Sequence, residues 1–280
     1  MNDDKFKALI RLLDDPDPVV THHVEEELFT LGPQGIEKLE AAWESVADAL
    51  VQSRIEELIS RIQISHFSGQ LLSWRMAGGQ DLLEGWLLLT QMQFPMLNVS
   101  KYRNELQRLI SKIWLQLDSR MNELERLIAI NKQLYSVERY SGNYKESERP
   151  ENNYISFLLD TKQGNSLSLS ALYLIVCEQL DIPLQVVNFM GYYAIRCYRR
   201  NSHFYIDAYN QGMFFTPQQV QEFLKKMDAE QNVNHYKPLS NIYIVLDLIK
   251  ALITAYGNDN QPSKAALFDR LLREIEIKLE

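Results

Sequence analysis

Residues 164–210 constrain the fold of this chain more than any other segment. A Gly-Asn-Ser turn at residues 164–166 comes before a long apolar run, and an Asp-Ile-Pro sequence at residues 181–183 ends that run. Asn and Ser begin helices because their side chains accept hydrogen bonds from the first backbone amides, and proline cannot continue a helix. Residues 184–206 are then rich in Val, Leu and aromatic residues, as strands are. The segment predicts an apolar helix followed by a short antiparallel sheet.

Two turn signals divide the strand-like part of this segment. Residues 199–202 predict a hairpin turn, and residues 210–212 predict a second turn before Phe214. With the hairpin turn in that place, Tyr192 and Asp207 fall roughly opposite one another on adjacent strands. Side chains opposite one another on neighbouring strands point to the same face of a sheet. We therefore expect the side chains of Tyr192 and Asp207 to meet.

This order of elements resembles the core of the transglutaminase-like superfamily, in which a cysteine at the helix start, a histidine on the next strand and an aspartate on the following strand form a catalytic triad. The resemblance extends over residues 141–224 and is closest to a bacterial branch with a Gly-Asn-Pro-x-Ser-Leu-Ser type of turn, here residues 164–170. It implies a papain/transglutaminase-like core. It also places the three triad positions at Ser166, Tyr192 and Asp207, so that only the aspartate is retained.

The residue types at these positions favour a site without catalysis. A serine hydroxyl becomes a nucleophile at neutral pH only when a general base lies within hydrogen-bond reach, and a tyrosine with a pKa of about 10 is a poor base. We expect instead that Asn165 or Ser166 caps the helix, and that Asp207 accepts a hydrogen bond from a phenol or a backbone amide. One alternative stays open: an atypical hydrolase or acyltransferase that uses Ser166, with a histidine such as His66 or His235 beside it.

The resemblance further implies a cleft between the helix start, the strand that begins near Tyr192 and the polar loop at residues 140–150. That loop either frames the cleft or is only a connector, and the resemblance favours the first. The predicted cleft residues are Asn165, Ser166, Tyr192, Tyr193 and Asp207. We expect the cleft to bind a peptide or protein, with the helical N-terminal region as a second interaction surface. A purely structural subunit without a pocket of ligand size is a further possibility.

Helices account for most of the remaining chain. Apolar residues recur at helical spacing over residues 6–64, with turn signals at residues 15–18 and 32–35. This pattern resembles a HEAT-type helical repeat over about one and a half units, and a generic helical bundle fits it equally well. Residues 70–137 are again helical in pattern. We expect the tryptophans of the helical half to serve in packing rather than as a ligand cage: Trp43, Trp74, Trp86 and Trp114.

The C-terminal part predicts helices at residues 217–226, 240–256 and 262–279, with Thr216 as an N-cap and Gly257 as a C-cap. Together with the segments before it, this pattern predicts a mostly helical α+β chain with a small antiparallel sheet. We expect three parts: a HEAT-like helical region at residues 1–65, a helical bundle that packs on the core at residues 66–139, and the transglutaminase-like core with its C-terminal helices at residues 140–280.

Composition argues against several classes of partner and cofactor. The 280 residues carry a net charge of −8, which disfavours nucleic acid and anionic lipid as partners. Two cysteines, Cys177 and Cys197, fit a reducing compartment, and we expect neither to be a catalytic thiol. The five histidines are scattered, so neither a metal nor a cofactor is predicted. No signal peptide or membrane-spanning run is readable, and the expected location is the cytoplasm.

Overall fold

The structure, a computed structural model, describes residues 2–199, 202–226 and 237–277. Most of these residues are helical, and helices lie in every region where the apolar spacing predicts them. The α-helices of the described part, numbered in chain order, are α1 (Asp3–Arg11), α2 (Pro18–Phe29), α3 (Ile36–Ser45), α4 (Ala49–Met76), α5 (Leu82–Gln93), α6 (Val99–Trp114), α7 (Glu123–Asn131), α8 (Ile155–Thr161), α9 (Ser166–Gln179), α10 (Pro217–Lys226), α11 (Asn241–Asn258) and α12 (Pro262–Ile277).

The strands follow α9, as predicted, apart from two short ones that come before it. The strands of the described residues are β1 (Ser141–Gly142), β2 (Gln163–Gly164), β3 (Gln185–Phe189), β4 (Tyr192–Arg199), β5 (Ser202–Asp207) and β6 (Met213–Phe215). Strands β3 to β6 form an antiparallel sheet in the order β3-β4-β5-β6, so each strand pairs with its neighbour in sequence. Arg199 pairs with Ser202 at the predicted hairpin, whose residues 200 and 201 lie outside the described residues.

Helix α9 lies at the centre of the fold. Every residue from Leu167 to Cys177 is buried, so the helix is covered on all sides. A helix that is apolar all round is stable in water only inside a protein. One side of α9 packs against β4, whose Tyr193, Ile195 and Cys197 belong to the same hydrophobic core, and α5, α8 and α11 also contact it. The rest of the fold therefore fixes where the first residues of α9 can lie.

Helix α4 joins two hydrophobic cores. Its buried side chains between residues 51 and 62 pack with α1, α2 and α3, whereas those between residues 64 and 71 belong to the main core around α9. The boundary expected at residue 65 thus falls inside one continuous helix of 28 residues. The division of the chain into three parts, and the HEAT-like character of the first, stay predictions.

The C-terminal helices close the main core. Helix α11 packs against α12, α5 and α9, and α12 also packs against α4. The rings of Tyr256 and Phe268 are stacked, with their centroids 5.8 Å apart. The guanidinium of Arg75 on α4 donates to the carbonyl of Ile275 on α12. The end of the chain thereby holds the long helix α4 against the core.

The structure tests three predictions made for single residues. Thr216 caps α10 as predicted, since its hydroxyl accepts from the amide of Gln219 at 3.3 Å. Gly257 is not the C-cap of α11: the helix runs on to Asn258, because glycine also adopts the right-handed helical conformation. Trp114 is not a packing residue, because it ends α6 and is 64% exposed.

Two local features were not predicted. The loop expected at residues 140–150 instead occupies residues 143–153, because β1 comes before it. Strand β1 pairs in parallel with β2, which attaches the start of this loop to the chain just before α9. Residues 132–137, directly after α7, form a π-helix. Neither feature has a clear sequence signal, because a two-residue strand is too short for alternation and a π-helix arises from tertiary packing.

A helix that crosses a membrane must be both long and apolar, because the hydrocarbon core cannot satisfy polar groups. Within the described ranges, every helix is too short or too polar to span a bilayer.

The burial of α9 predicts a large difference between two leucine substitutions. Leu172 on α9 is 1% exposed, whereas Leu115 after α6 is 76% exposed. We expect Leu172→Ala to lower the free energy of unfolding by about 2–5 kcal/mol, because it leaves a cavity in the core. Leu115→Ala should change it by less than about 0.5 kcal/mol. Urea unfolding of the two variants measures both values, and similar losses would contradict the central position of α9.

Candidate functional site

The start of α9 is held by a reciprocal pair of side chains. The Oδ1 atom of Asn165 accepts from the amide of Ser168 at 2.8 Å, and the hydroxyl of Ser168 accepts from the amide of Asn165 at 3.0 Å. This capping box assigns the cap to Asn165, between the two residues that the sequence left open. A Cβ atom on Gly164 would lie 2.5 Å from the Ser168 hydroxyl, so the turn before the cap requires glycine.

Ser166 is the first residue of α9, and its side chain is half-buried. Its hydroxyl oxygen accepts from the amide of Tyr193 at 3.3 Å, and this is its only hydrogen bond within the described part of the chain. His66 is exposed on α4 and does not contact Ser166, and His235 lies outside the described residues. No group that the structure describes can take a proton from Ser166.

The first two amides of α9 have no acceptor in the described structure. The amides of Ser168 and Leu169 are satisfied by Asn165, through its side chain and its carbonyl respectively. Those of Ser166 and Leu167 are not, as is usual for the first turn of a helix. The helix dipole adds a partial positive charge at the same place. This end of α9 can therefore donate to a carbonyl or carboxylate oxygen of a ligand.

Tyr192 and Asp207 meet on one face of the sheet, as the strand spacing predicts. The phenol of Tyr192 donates to Oδ2 of Asp207 at 2.6 Å, and the side-chain amide of Asn210 donates to both groups, at 3.0 and 2.8 Å. Oδ1 of Asp207 accepts from the amides of Tyr209 and Asn210 at 3.0 and 3.1 Å. With five donated hydrogen bonds in all around this pair, the buried Asp207 holds the end of β5 and its turn.

Tyr193 points to the other face of β4. Its ring is buried in the main core, and its phenol donates to Oδ2 of Asp247 on α11 at 2.9 Å. The three positions that the resemblance assigns to a triad are therefore split between two networks. Tyr192 and Asp207 are joined to each other, while Ser166 is joined to the backbone of Tyr193.

The phenols beside the site are neutral donors rather than bases. Burial, and then the hydrogen bond to Asp207, raise the pKa of Tyr192 above its ordinary value. Burial, and then the negative charge of Asp247, raise the pKa of Tyr193 in the same direction. A base would need a pKa near the working pH, so these shifts move both phenols away from that role.

The loop at residues 143–153 is held in place by asparagines. Asn143 donates to Asn152 at 3.0 Å, and Asn152 donates to two carbonyls of the loop. Asn165 of the helix cap donates to Asn153 at 2.8 Å, and the indole of Trp86 donates to the carbonyl of Asn153 at 2.8 Å. The loop is thereby attached to the helix start and to the core, and it forms a wall rather than a mere connector.

These elements enclose a cleft of about 570 Å³. Asn165, Ser166, Tyr192 and Tyr193 of the predicted set line it, whereas Asp207 lies behind Tyr192 and does not. The remaining lining residues come from the loop, the first turn of α9, the β3–β4 and β5–β6 turns and α11: Ser147, Glu148, Arg149, Asn153, Leu167, Gly191, Tyr209, Asp247, Lys250, Ala251, Thr254 and Ala255.

Helix α11 is the wall that sequence reasoning missed. Its contribution comes from Asp247, Lys250 and Thr254, more than 80 residues after Ser166. The sequence does contain a signal, because these polar residues interrupt an apolar run at intervals of three and four. That spacing places them on one face of a helix. The partner of that face is set by tertiary packing and is not readable from the run itself.

The described residues contain no group of three or more His, Cys, Asp or Glu side chains that could hold a metal ion. Both thiols lie in the core: Cys177 is 0% exposed, and so is Cys197, which donates to Glu123 at 3.2 Å. Burial, and then the hydrogen bond to Glu123, raise the pKa of Cys197 to about 12.

A family model described as the transglutaminase-like superfamily matches residues 100–249 of this sequence. The chain belongs to the transglutaminase-like superfamily. The match confirms the resemblance carried by the Gly-Asn-Ser turn and the strands that follow it. It also begins well before the turn, so the superfamily domain includes α6, α7 and the loop that forms the wall of the cleft.

Relatives of this transglutaminase-like chain come from bacteria and from animals. A UPF0162 protein of Xylella fastidiosa is 25% identical over 203 residues, which cover 69% of this chain and 71% of that protein. The mouse F-box only protein 21 is 34% identical over 98 residues, which cover 32% of this chain and 16% of that protein. No solved structure matches this chain. The bacterial relative is consistent with the bacterial branch of the superfamily that the turn resembles.

The asparagine cap predicts a specific loss of stability in this transglutaminase-like domain. Asn165→Ala removes a capping box and the hydrogen bond to Asn153, so we expect a loss of about 2 kcal/mol in the free energy of unfolding. Asn122→Ala is the matched control, because Asn122 caps α7 with the same kind of box and has no such contact. It should cost about 1 kcal/mol. Equal losses in urea unfolding would contradict the link between cap and loop.

The thiols give a second prediction. Because both cysteines are buried and the pKa of each is raised, the folded protein should not react with Ellman's reagent at about pH 8. After unfolding in urea both thiols should react. Rapid reaction of one thiol in the folded protein would show that Cys177 or Cys197 is accessible, contrary to its position in the core.

Proposed function

We propose that this transglutaminase-like protein binds a peptide, or a segment of a protein, in the cleft at the start of α9 and does not cleave it. The observation that carries the proposal is the pair of unsatisfied backbone amides at the start of α9. The amides of Ser166 and Leu167 have no acceptor in the described structure, and both residues line a cleft of about 570 Å³. Ser166 itself has no base beside it among the described residues.

The donors at the helix start suit the backbone of a peptide. A peptide offers carbonyl oxygens at regular intervals and, at one end, a carboxylate, and both accept from free amides. The hydroxyl of Ser166 accepts from Tyr193, so its own proton is available for the same purpose. The rings of Tyr192 and Tyr209 supply apolar area and rigid walls, as aromatic residues do at many interfaces.

The proposal excludes catalysis because no described group can accept the proton of Ser166. A serine nucleophile must lose its proton as it attacks, and Tyr193 offers Ser166 a donor instead of an acceptor. The phenols of Tyr192 and Tyr193 have raised pKa values and hold their own protons. An atypical hydrolase or acyltransferase would need a base that none of the described residues provides.

The proposal also includes the compartment in which binding takes place and a second surface for partners. Binding is proposed to take place in the cytoplasm, which the two free and buried thiols favour. The helical N-terminal region, residues 1–65, is proposed to supply a second surface for partners. Support for this is its separate hydrophobic core, which lets α1, α2 and α3 form a surface distinct from the cleft.

Selection from a random peptide library tests the proposal, because such a library presents many side chains and backbone lengths to the cleft at once. Phage-displayed dodecapeptides are panned on the protein, and enriched peptides are measured by titration calorimetry. We expect Tyr209→Ala to weaken binding by about tenfold or more, because the ring forms a wall of the cleft. Tyr198→Ala is the control, since Tyr198 lies on β4, is 51% exposed and lies outside the cleft.

Two results would contradict the proposal. One is a library that enriches no peptide. The other is a set of enriched peptides that bind wild type, Tyr209→Ala and Tyr198→Ala equally well, because such peptides bind elsewhere.

A further inference from the structure

The charged residues that line the cleft are not equally satisfied. Arg149 pairs with Glu146 at 2.9 Å and with Glu151 at 3.2 Å. Lys250 on α11 pairs with Glu276 on α12 at 3.4 Å. Both cations of the cleft are thus compensated by carboxylates that do not line it.

The two carboxylates of the cleft have no such partner. Glu148 is exposed and, in the described structure, is hydrogen-bonded only to the hydroxyl of Ser147 at 3.3 Å. Asp247 accepts from Tyr193 and Asn188, and both donate to Oδ2, which leaves Oδ1 without a described partner. Neither carboxylate forms an ion pair within the described ranges. The cleft therefore carries uncompensated negative charge.

Two tyrosine rings line the same cleft as these carboxylates. Tyr192 and Tyr209 both line the cleft, with ring centroids 6.4 Å apart and planes nearly perpendicular at 85°. Tyr144 packs edge-on against Tyr209 at 4.8 Å and donates to its carbonyl at 2.8 Å, so the Tyr209 ring is held in place. The face of a tyrosine ring attracts a cation. Rings and carboxylates together favour a positively charged group.

We propose that the cleft recognises the guanidinium group of an arginine side chain. This inference rests on the proposed function, because the arginine belongs to the bound peptide. A guanidinium is planar, so it can lie on a tyrosine face while its N–H groups donate to carboxylates at its edges. A lysine ammonium is a compact and strongly hydrated charge that gains less from a ring in an open cleft. The free amides of α9 then hold a carbonyl of the same peptide.

Three short peptides test the recognised group. Each is acetylated, amidated and of the form Gly-Gly-X-Gly-Gly, in which X is arginine, its uncharged analogue citrulline, or lysine. Binding is followed by the backbone amide signals of the protein in a nitrogen-15 NMR titration. We expect the arginine peptide to shift the signals of Leu167 and Tyr193, and to bind about tenfold more tightly than the citrulline peptide.

Charge-removing variants locate the interaction. Glu148→Gln and Asp247→Asn keep the shape of each side chain. Each should weaken binding of the arginine peptide by about threefold, with little effect on binding of the citrulline peptide. Asn at position 247 can still accept from Tyr193. Glu57→Gln is the control, because Glu57 is an exposed carboxylate on α4 outside the cleft. It should leave all affinities unchanged.

The outcomes separate this inference from the proposed function. Equal binding of the citrulline or lysine peptide, or unchanged affinity in both carboxylate variants, overturns guanidinium recognition. If none of the three peptides binds while library-selected peptides do, guanidinium recognition is wrong and peptide binding stands. If no peptide of either kind binds in the cleft, both proposals are wrong.

Discussion

The structure depends on the burial of α9. A helix with apolar residues on every side must be enclosed, and the sheet on one side and α5, α8 and α11 around the rest enclose it. Enclosure creates a problem at the first turn, where backbone amides have no partner inside the helix. Asn165 and Ser168 satisfy this requirement in part, and the two residues whose amides are left over line the cleft. The site is thus a consequence of how the core begins.

The same burial fixes the positions that the resemblance assigns to a catalytic triad. The positions of Ser166, Tyr192 and Asp207 are set by α9 and the two strands that pack beside it, and packing does not require a nucleophile. Asp207 now holds Tyr192 and a turn, and Ser166 is bonded to the backbone of β4. These contacts leave a shaped cleft with free donors, held open by a loop that the asparagines fix to the helix cap.

Local signals in the sequence predict the fold more completely than they predict the site. The capping residues, the Asp-Ile-Pro break and the alternation of the strands located α9, the sheet and the contact between Tyr192 and Asp207. The role of Asp247 could not be predicted, because Asp247 lies on α11, which packs against α9 although it comes more than 80 residues after Ser166. Trp114 and Gly257 were misjudged for a related reason: residue type indicates what a side chain can do, and tertiary packing decides which option it takes.

The central claim is that the cleft binds and does not cleave, and reactivity of Ser166 tests it most directly. The whole protein is incubated with a fluorophosphonate between about pH 6 and 10, and adducts are located by mass spectrometry. A hydroxyl without a base should form no adduct at any pH in this range. An adduct on Ser166 that disappears in His235→Ala would show that a base reaches the serine, and would contradict the claim.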